Sequence, residues 1–248
     1  MKIIAFTIAD KNNKRHVEKL EKSFHHFHPD IELKVYNEKD VGDKVNYYRS
    51  TAMFAKDLIK DYDLVLKLDA DQIVTGNLDY IFEREYDVAT VMNFNRVDPK
   101  KYGDVSVLDI SPTEYMNCGL VAMRSKEFID HWWELCNSNH FSNLRYREQD
   151  LLNILVHYGR YNVICLDFPD PSYKYSAWHG LIAKGEYLKM VMRDGKLILP
   201  KGKENYPEAD KEIKVLHSAG GGSEKKIGDN YRILFKEEVI KYIEKLIK

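Results

Sequence analysis

Residues 63–71 read Asp-Leu-Val-Leu-Lys-Leu-Asp-Ala-Asp, an apolar run that closes on two acids two positions apart. Side chains two apart in an extended chain share a face, so a strand reaching this point brings the carboxylates of Asp69 and Asp71 together. Held there they repel, and a hard divalent cation with oxygen ligands is the simplest group to sit between them. A bare Asp-x-Asp is ordinarily a solvated turn. The strand before this one, with Gln72-Ile73-Val74 and Gly76-Asn77-Leu78 after it, favours a metal site. His217 closes a second apolar run at 213–216, and Gly220-Gly221-Gly222 follow at once. A neutral imidazole is a good third ligand for manganese, and glycine amides cradle phosphate oxygens with no side chain in the way. Acid pair, histidine and glycines point together to a metal-bridged diphosphate, within reach of Lys225 or Lys226.

The elements that must position these groups follow from periodicity. Residues 2–9, 31–36, 63–68, 87–92, 118–123, 161–166 and 213–216 read as strands, and 14–27, 45–58, 126–136 and 147–157 as helices. Alternation of the two over the first two thirds predicts an α/β sheet covered by helices on both faces, and ligands bind such sheets at the carboxyl ends of the strands. Asp194-Gly195 within 190–199 predicts a hairpin. Residues 231–248 carry apolar side chains on one face of a helix, for core packing or a peripheral membrane contact. Residues 95–115 lack periodicity and form a candidate active-site loop. Residues 169–180 are aromatic, and Trp178 and His179 either stack on an acceptor sugar or pack at a core edge. Trp132-Trp133 is expected in the core.

Composition sets bounds. The 248 residues are 44% hydrophobic and 12% aromatic, enough to bury roughly 70–75% of the unfolded surface, which excludes a disordered or fibrous chain. Lys+Arg is 38 against 39 Asp+Glu, a net charge of −1, which gives no footprint for nucleic acid. Three scattered cysteines, Cys118, Cys136 and Cys165, offer neither a disulfide framework nor a thiolate zinc site and fit a reducing, cytoplasmic compartment. No signal peptide or membrane span is expected. One domain over 1–248 is expected, with a nucleotide-binding part at about 1–93, an acceptor-side part at about 94–220 and a terminal helix at about 230–248.

Four stretches in order resemble the glycogenin-like retaining glycosyltransferases of family 8: Asn46-Tyr47-Tyr48-Arg49, the segment 65–74 around Asp69-Ala70-Asp71, Asn117-Cys118-Gly119-Leu120-Val121, and Glu148-Gln149-Asp150-Leu151-Leu152-Asn153. The likeness covers most of 1–220 and implies the GT-A fold, a Rossmann-like mixed sheet flanked by helices. It implies Mn²⁺, or Mg²⁺ in its place, on Asp69, Asp71 and His217, holding the diphosphate of a UDP-sugar, UDP-glucose or UDP-galactose. It implies donor contacts from Thr7, Asp10, Arg49, Ala70, Asn117, Gly220 and Lys225, with Asp10 near the uracil or ribose. Gln149 and Asp150 would face the transferred hexose opposite the diphosphate, and the acceptor would be a glycan, protein or lipid-linked sugar. The sequence departs from that family twice. Lys67 stands where an aromatic is usual, and Ser223 stands where the lysine of the terminal His-x-x-Gly-x-x-Lys-Pro-Trp segment belongs. Two other readings remain: a haloacid-dehalogenase-like phosphatase, and a non-catalytic nucleotide-sugar-binding module.

Overall fold

The computed structural model describes residues 1–9, 14–43, 47–92, 110, 114–139, 141–166, 175–176, 190–200, 210–217, 232 and 235–248. Strand β1 (Ile3–Ala9) leads through α1 (Lys14–Phe27) to β2 (Leu33–Asn37), which pairs with it in parallel. Asn37 then caps the short α2 (Glu38–Val41), accepting from Lys39 N while Asp40 reaches back to Asn37 N. Helix α3 (Ser50–Leu58) precedes β3 (Leu64–Leu68), the two-residue β4 (Ile73–Val74), the single-turn α4 (Asp79–Phe82) and β5 (Val88–Met92). Then come β6 (Met116–Met123), α5 (Lys126–Cys136), α6 (Glu148–Tyr158) and β7 (Val163–Cys165).

These strands form one six-stranded sheet in the order β2-β1-β3-β6-β5-β7, in which β6 alone runs against its neighbours. Its central strands are buried on both faces, which is why β3 and β6 read as mainly apolar runs, interrupted by Lys67 and Asn117, rather than alternating ones. Ile4, Phe6 and Val65 face one layer with α3, α5 and α6. Ala5, Leu64, Leu66 and Leu68 face the other, with Leu20 and Phe24 of α1 and Ile81 and Phe82 of α4. The expected mixed sheet with helices on both faces is therefore present.

The remainder of the chain adds β8 (Tyr175–Ser176), β9 (Val191–Arg193), β10 (Lys196–Leu199), β11 (Lys211–Ile213), β12 (Val215–Leu216) and α7 (Glu237–Leu246). A second sheet runs β8-β11-β10-β9, and its β9–β10 hairpin turns on Asp194 and Gly195, both at positive φ (50° and 74°), as a tight two-residue hairpin turn requires. Phe235, Val239 and Ile243 of the terminal segment pack on Leu197, Leu199, Ile213 and Leu216. The apolar face that could have met a lipid surface is thus occupied within the molecule.

Three elements differ from the sequence expectation. Tyr47 is helical, its N donating to Asp43 O at 3.0 Å, but the chain turns over 48–49, where Ser50 Oγ donates to Tyr47 O, and α3 itself starts at Ser50, not at 45; residues 44–46 lie outside the described set. The single strand expected over 213–216 is two. At Lys214 the chain leaves the second sheet and pairs instead with β4, a strand too short to announce itself in the sequence. Helix α7 begins at Glu237, and of the candidate loop 95–115 only residues 110, 114 and 115 are described.

Trp132 is fully buried in α5 and donates from Nε1 to Glu148 O 2.9 Å away, tying α5 to the start of α6. Trp132→Ala is expected to cost about 3–5 kcal/mol, measured by chemical denaturation; a loss under about 1 kcal/mol would mean that this contact does not hold the layer.

Candidate metal centre

The end of β3 is pinned from behind by β6. Asp69 N donates to Gly119 O at 2.8 Å, and Gln72 Nε2 donates to the same carbonyl at 2.8 Å, so both sides of the Asp69–Gln72 turn hang on one acceptor. Gln72 N closes that turn on Asp69 O at 3.1 Å. Ala70, almost wholly buried, packs with Ala9 at the end of β1 and Val17 of α1. The two carboxylates therefore have a fixed origin.

The histidine arrives by a different route. β12 runs antiparallel to β4 with Val215 opposite Val74 and Leu216 opposite Ile73. Thr75 locks the register, donating from N to Lys214 O and from Oγ1 to Ile213 O, each at 2.8 Å. Continuing that ladder by one residue sets His217 beside the acid pair, across nearly 150 residues of chain. Its Nε2 lies 3.3 Å from Asp69 Oδ2 and 3.2 Å from Asp71 Oδ1. One ligand atom from each of the three residues falls within 4.8 Å of the others. Two carboxylate oxygens and an imidazole nitrogen converging so closely form a donor set that suits a divalent metal ion.

Lys67, the residue that breaks the apolar run of β3, is 5% exposed. Its ammonium donates to Asp69 Oδ1 and, at 2.6 Å, to Cys118 O. Burial, the largest single influence, would lower its pKa, but the charge and hydrogen bond of Asp69 together with Cys118 and Glu148 outweigh it, and the group is held above the usual lysine range. Asp69 thus divides its oxygens, Oδ1 toward Lys67 and Oδ2 toward His217.

On the far side of β6 the pairing with β5 is interrupted. Thr90 is opposite Val121 while Val91 is opposite Asn117, which leaves Cys118, Gly119 and Leu120 bulged. Thr90 Oγ1 spans the gap to Asn117 O (2.8 Å) and Leu120 O (3.1 Å). Side chains take the place of the missing strand partner. Gln149 Oε1 accepts from Cys118 N at 3.0 Å, Asn117 Oδ1 accepts from Gly119 N, and Asn153 accepts from Met116 N (2.6 Å) while donating to Met116 O (2.9 Å). Asp150 is fully buried, accepting from Tyr115 Oη at 2.5 Å and Tyr146 N at 2.7 Å, and Gln149 Nε2 reaches the same Tyr115 hydroxyl at 3.4 Å. Burial, then the Asp150 charge, push Tyr115 far above the usual phenol range, so it stays a donor.

The sequence-predicted residues fall into three groups. Asp69, Asp71 and His217 meet, with Ala70 in the turn between the acids. Asn117, Gln149 and Asp150 gather at the β6 bulge, where Gln149 accepts from Cys118 N and Asn117 from Gly119 N. Thr7 lies in β1, one position past the Phe6–Lys67 pair of the β1–β3 ladder, and Arg49 lies just before α3. Thr7 is buried in β1, and its Oγ1 finds no hydrogen-bond partner among the described residues; Arg49 donates to Asn137 Oδ1 at 2.7 Å and lies over Trp133. Asp10, Gly220, Lys225, Lys226, Trp178 and His179 lie outside the described residues. Reading for motifs missed Thr75, Thr90, Gln72 and Asn153 as positioning groups. Only the last two lay inside stretches whose spacing could have flagged them.

No protein-family model matches the sequence, and no curated protein matches it. Solved structures do. The apo structure of WbbM, a bifunctional glycosyltransferase, superposes on 99% of this chain with a TM-score of 0.58 at 14% identity. The chain has the GT-A fold. It spans about half of the WbbM chain, 51%. The galactosyltransferase LgtC, in complex with donor and acceptor sugar analogues, aligns with 66% of this chain and 73% of its own (TM-score 0.47, 17% identity). The glycosyltransferase GlyE of Streptococcus pneumoniae TIGR4 aligns with 67% and 45% (TM-score 0.45, 16% identity).

Glu148, at the first turn of α6, accepts from Thr51 Oγ1 (2.8 Å) and Thr51 N (3.2 Å). Burial pushes its carboxyl up to about 7, against the partial relief given by Lys67 and Thr51. An acid whose folded pKa is raised holds a proton that the unfolded chain has already lost, so stability falls as pH rises from the ordinary glutamate range through about 7. Urea denaturation of the metal-free protein at about pH 5 and about pH 8 is expected to show this loss, and Glu148→Gln to reduce it. Equal slopes for the two proteins would contradict the assignment.

Proposed function

We propose that the chain is a retaining, Mn²⁺-dependent glycosyltransferase that moves a hexose from a UDP-sugar, UDP-glucose or UDP-galactose, to a glycan, protein or lipid-linked acceptor. The observation that carries this reading is the convergence of Asp69, Asp71 and His217 at the end of β3 in a GT-A fold. The Asp/Asp/His donor set fits the metal that such an activity needs, and these three residues would hold it. When bound, the metal supplies Lewis-acid stabilisation of the charge that gathers on the departing diphosphate. Gly220 with its neighbouring glycines, and Lys225, are assigned to the same diphosphate, and Thr7, Asp10, Arg49, Ala70 and Asn117 to the rest of the donor. Trp178 and His179 are assigned to the acceptor side. All of 1–248 is read as one catalytic domain.

The chain's own part in the chemistry is positioning and electrostatics. As the glycosidic bond weakens, the sugar gains positive character, and the amide oxygen of Gln149 is the group proposed to stabilise it. Asp150 is too deeply buried to do so directly. It holds Tyr115, Tyr115 meets Gln149, and Asp150 therefore acts as a positioning residue for the amide. Retention follows whether the acceptor attacks from the leaving-group side or through a covalent intermediate.

Asp71→Asn is expected to abolish the Mn²⁺-dependent thermal shift that UDP gives to the wild-type protein, whereas wild-type shifts of the same size with Mn²⁺ and with excess chelator would remove the basis for the reading. Asp150→Asn should lower kcat for UDP-sugar turnover about tenfold or more while changing donor binding little, since a misplaced catalytic group costs rate before affinity. A parallel loss of binding and turnover would instead make Asp150 a folding residue.

A further inference from the structure

Lys67 is the one cation in the buried strand that delivers the acid pair, and it touches Asp69 on the oxygen that does not face His217. An ammonium in that position is costly to desolvate and is tolerated because a carboxylate and a carbonyl receive it. Its effect on the site is direct. Asp69 and Asp71 together offer two negative charges to an incoming cation, and Lys67 cancels one of them from within hydrogen-bonding distance. It also occupies Asp69 Oδ1, so that only Oδ2 is presented beside Asp71 Oδ1 and His217 Nε2.

We propose that Lys67 is a tethered internal cation that makes metal capture conditional on the nucleotide: the free site binds a divalent ion weakly, and the diphosphate restores the negative charge that Lys67 has removed. This rests on the reading of Asp69, Asp71 and His217 as the metal ligands of a UDP-sugar enzyme and adds to it a residue that sets the order in which metal and nucleotide assemble. The chain's departure from an aromatic at this position is then functional. In the absence of an ion, the ammonium relieves the repulsion between the two acids, and the empty site keeps its shape. Lys67 is a positioning and electrostatic residue, not a ligand.

The test is a Mn²⁺ titration followed by the electron paramagnetic resonance of free Mn²⁺, with and without UDP, on the wild type, Lys67→Met, Lys67→Gln and Lys67→Arg. Asp69 is 36% exposed at its side chain, so removing its partner leaves a carboxylate that water still reaches. Lys67→Gln, which keeps a donor for Cys118 O, is the second neutral variant should Lys67→Met fold poorly. Removing a unit charge this close is expected to tighten Mn²⁺ binding without UDP by about tenfold or more in both neutral variants, to shrink the gain that UDP gives, and to leave Lys67→Arg near the wild type. Neutral variants that bind bare Mn²⁺ no better than the wild type, with the UDP gain unchanged, overturn the role of Lys67 while leaving the metal site standing. No Mn²⁺ binding by any of the four proteins, with or without UDP, overturns both.

Discussion

The repulsion between Asp69 and Asp71 is the constraint around which the rest of this molecule is arranged. Two carboxylates cannot be held side by side at a strand end without positive charge or hydrogen-bond donors close by. The chain supplies one internal cation, Lys67, and one imidazole, His217, and leaves between the oxygens a gap that a divalent ion would fill. One supplier is local and the other distant. Lys67 reaches Asp69 only because both project from the same side of β3, and His217 reaches it only because a two-residue strand far along the chain pairs with β4.

The β6 bulge does the complementary work. Breaking the β5–β6 ladder exposes backbone groups at Cys118 and Gly119 in the middle of a buried sheet, where unmet donors and acceptors are costly. Cys118 O receives Lys67 and Cys118 N meets Gln149, while on the β3 side Gly119 O receives Asp69 N, one rung beyond the β3–β6 ladder, and Gln72. The acid pair and the Gln149 group are thereby fixed to opposite edges of the same short stretch of strand. The spacing between the diphosphate side and the sugar side of the proposed site would then be set by backbone hydrogen bonds rather than by loops.

Much of this was legible in the sequence, for reasons that can be named. Helices 14–27 and 126–136 were readable to the residue because their apolar periodicity is clean and Ser125 caps the second. The acid pair was readable because an apolar strand ends on it, and His217 because it ends another. What could not be read was pairing. Strand β4 is two residues long, the split at Lys214 changes the partner sheet without changing the hydrophobic pattern, and the bulge leaves no mark on the alternation of a strand buried on both faces. Lys67 looked like a departure from a pattern, and only its contacts reveal a pairing. Gln149 and Asp150 were marked in the sequence only by the resemblance, as a pair facing the hexose. The burial and the distinct partners of Glu148, Gln149 and Asp150 separate a buried acid, a strand-anchored amide and a fully committed carboxylate.

The central claim is that Asp69, Asp71 and His217 are ligands of a single ion. Anomalous diffraction from a crystal soaked in Mn²⁺, collected near the manganese edge, tests it most directly. The account predicts one strong peak within bonding distance of Asp69 Oδ2, Asp71 Oδ1 and His217 Nε2 together. A peak elsewhere, or density showing the imidazole turned away from both acids with no ion between them, would contradict it.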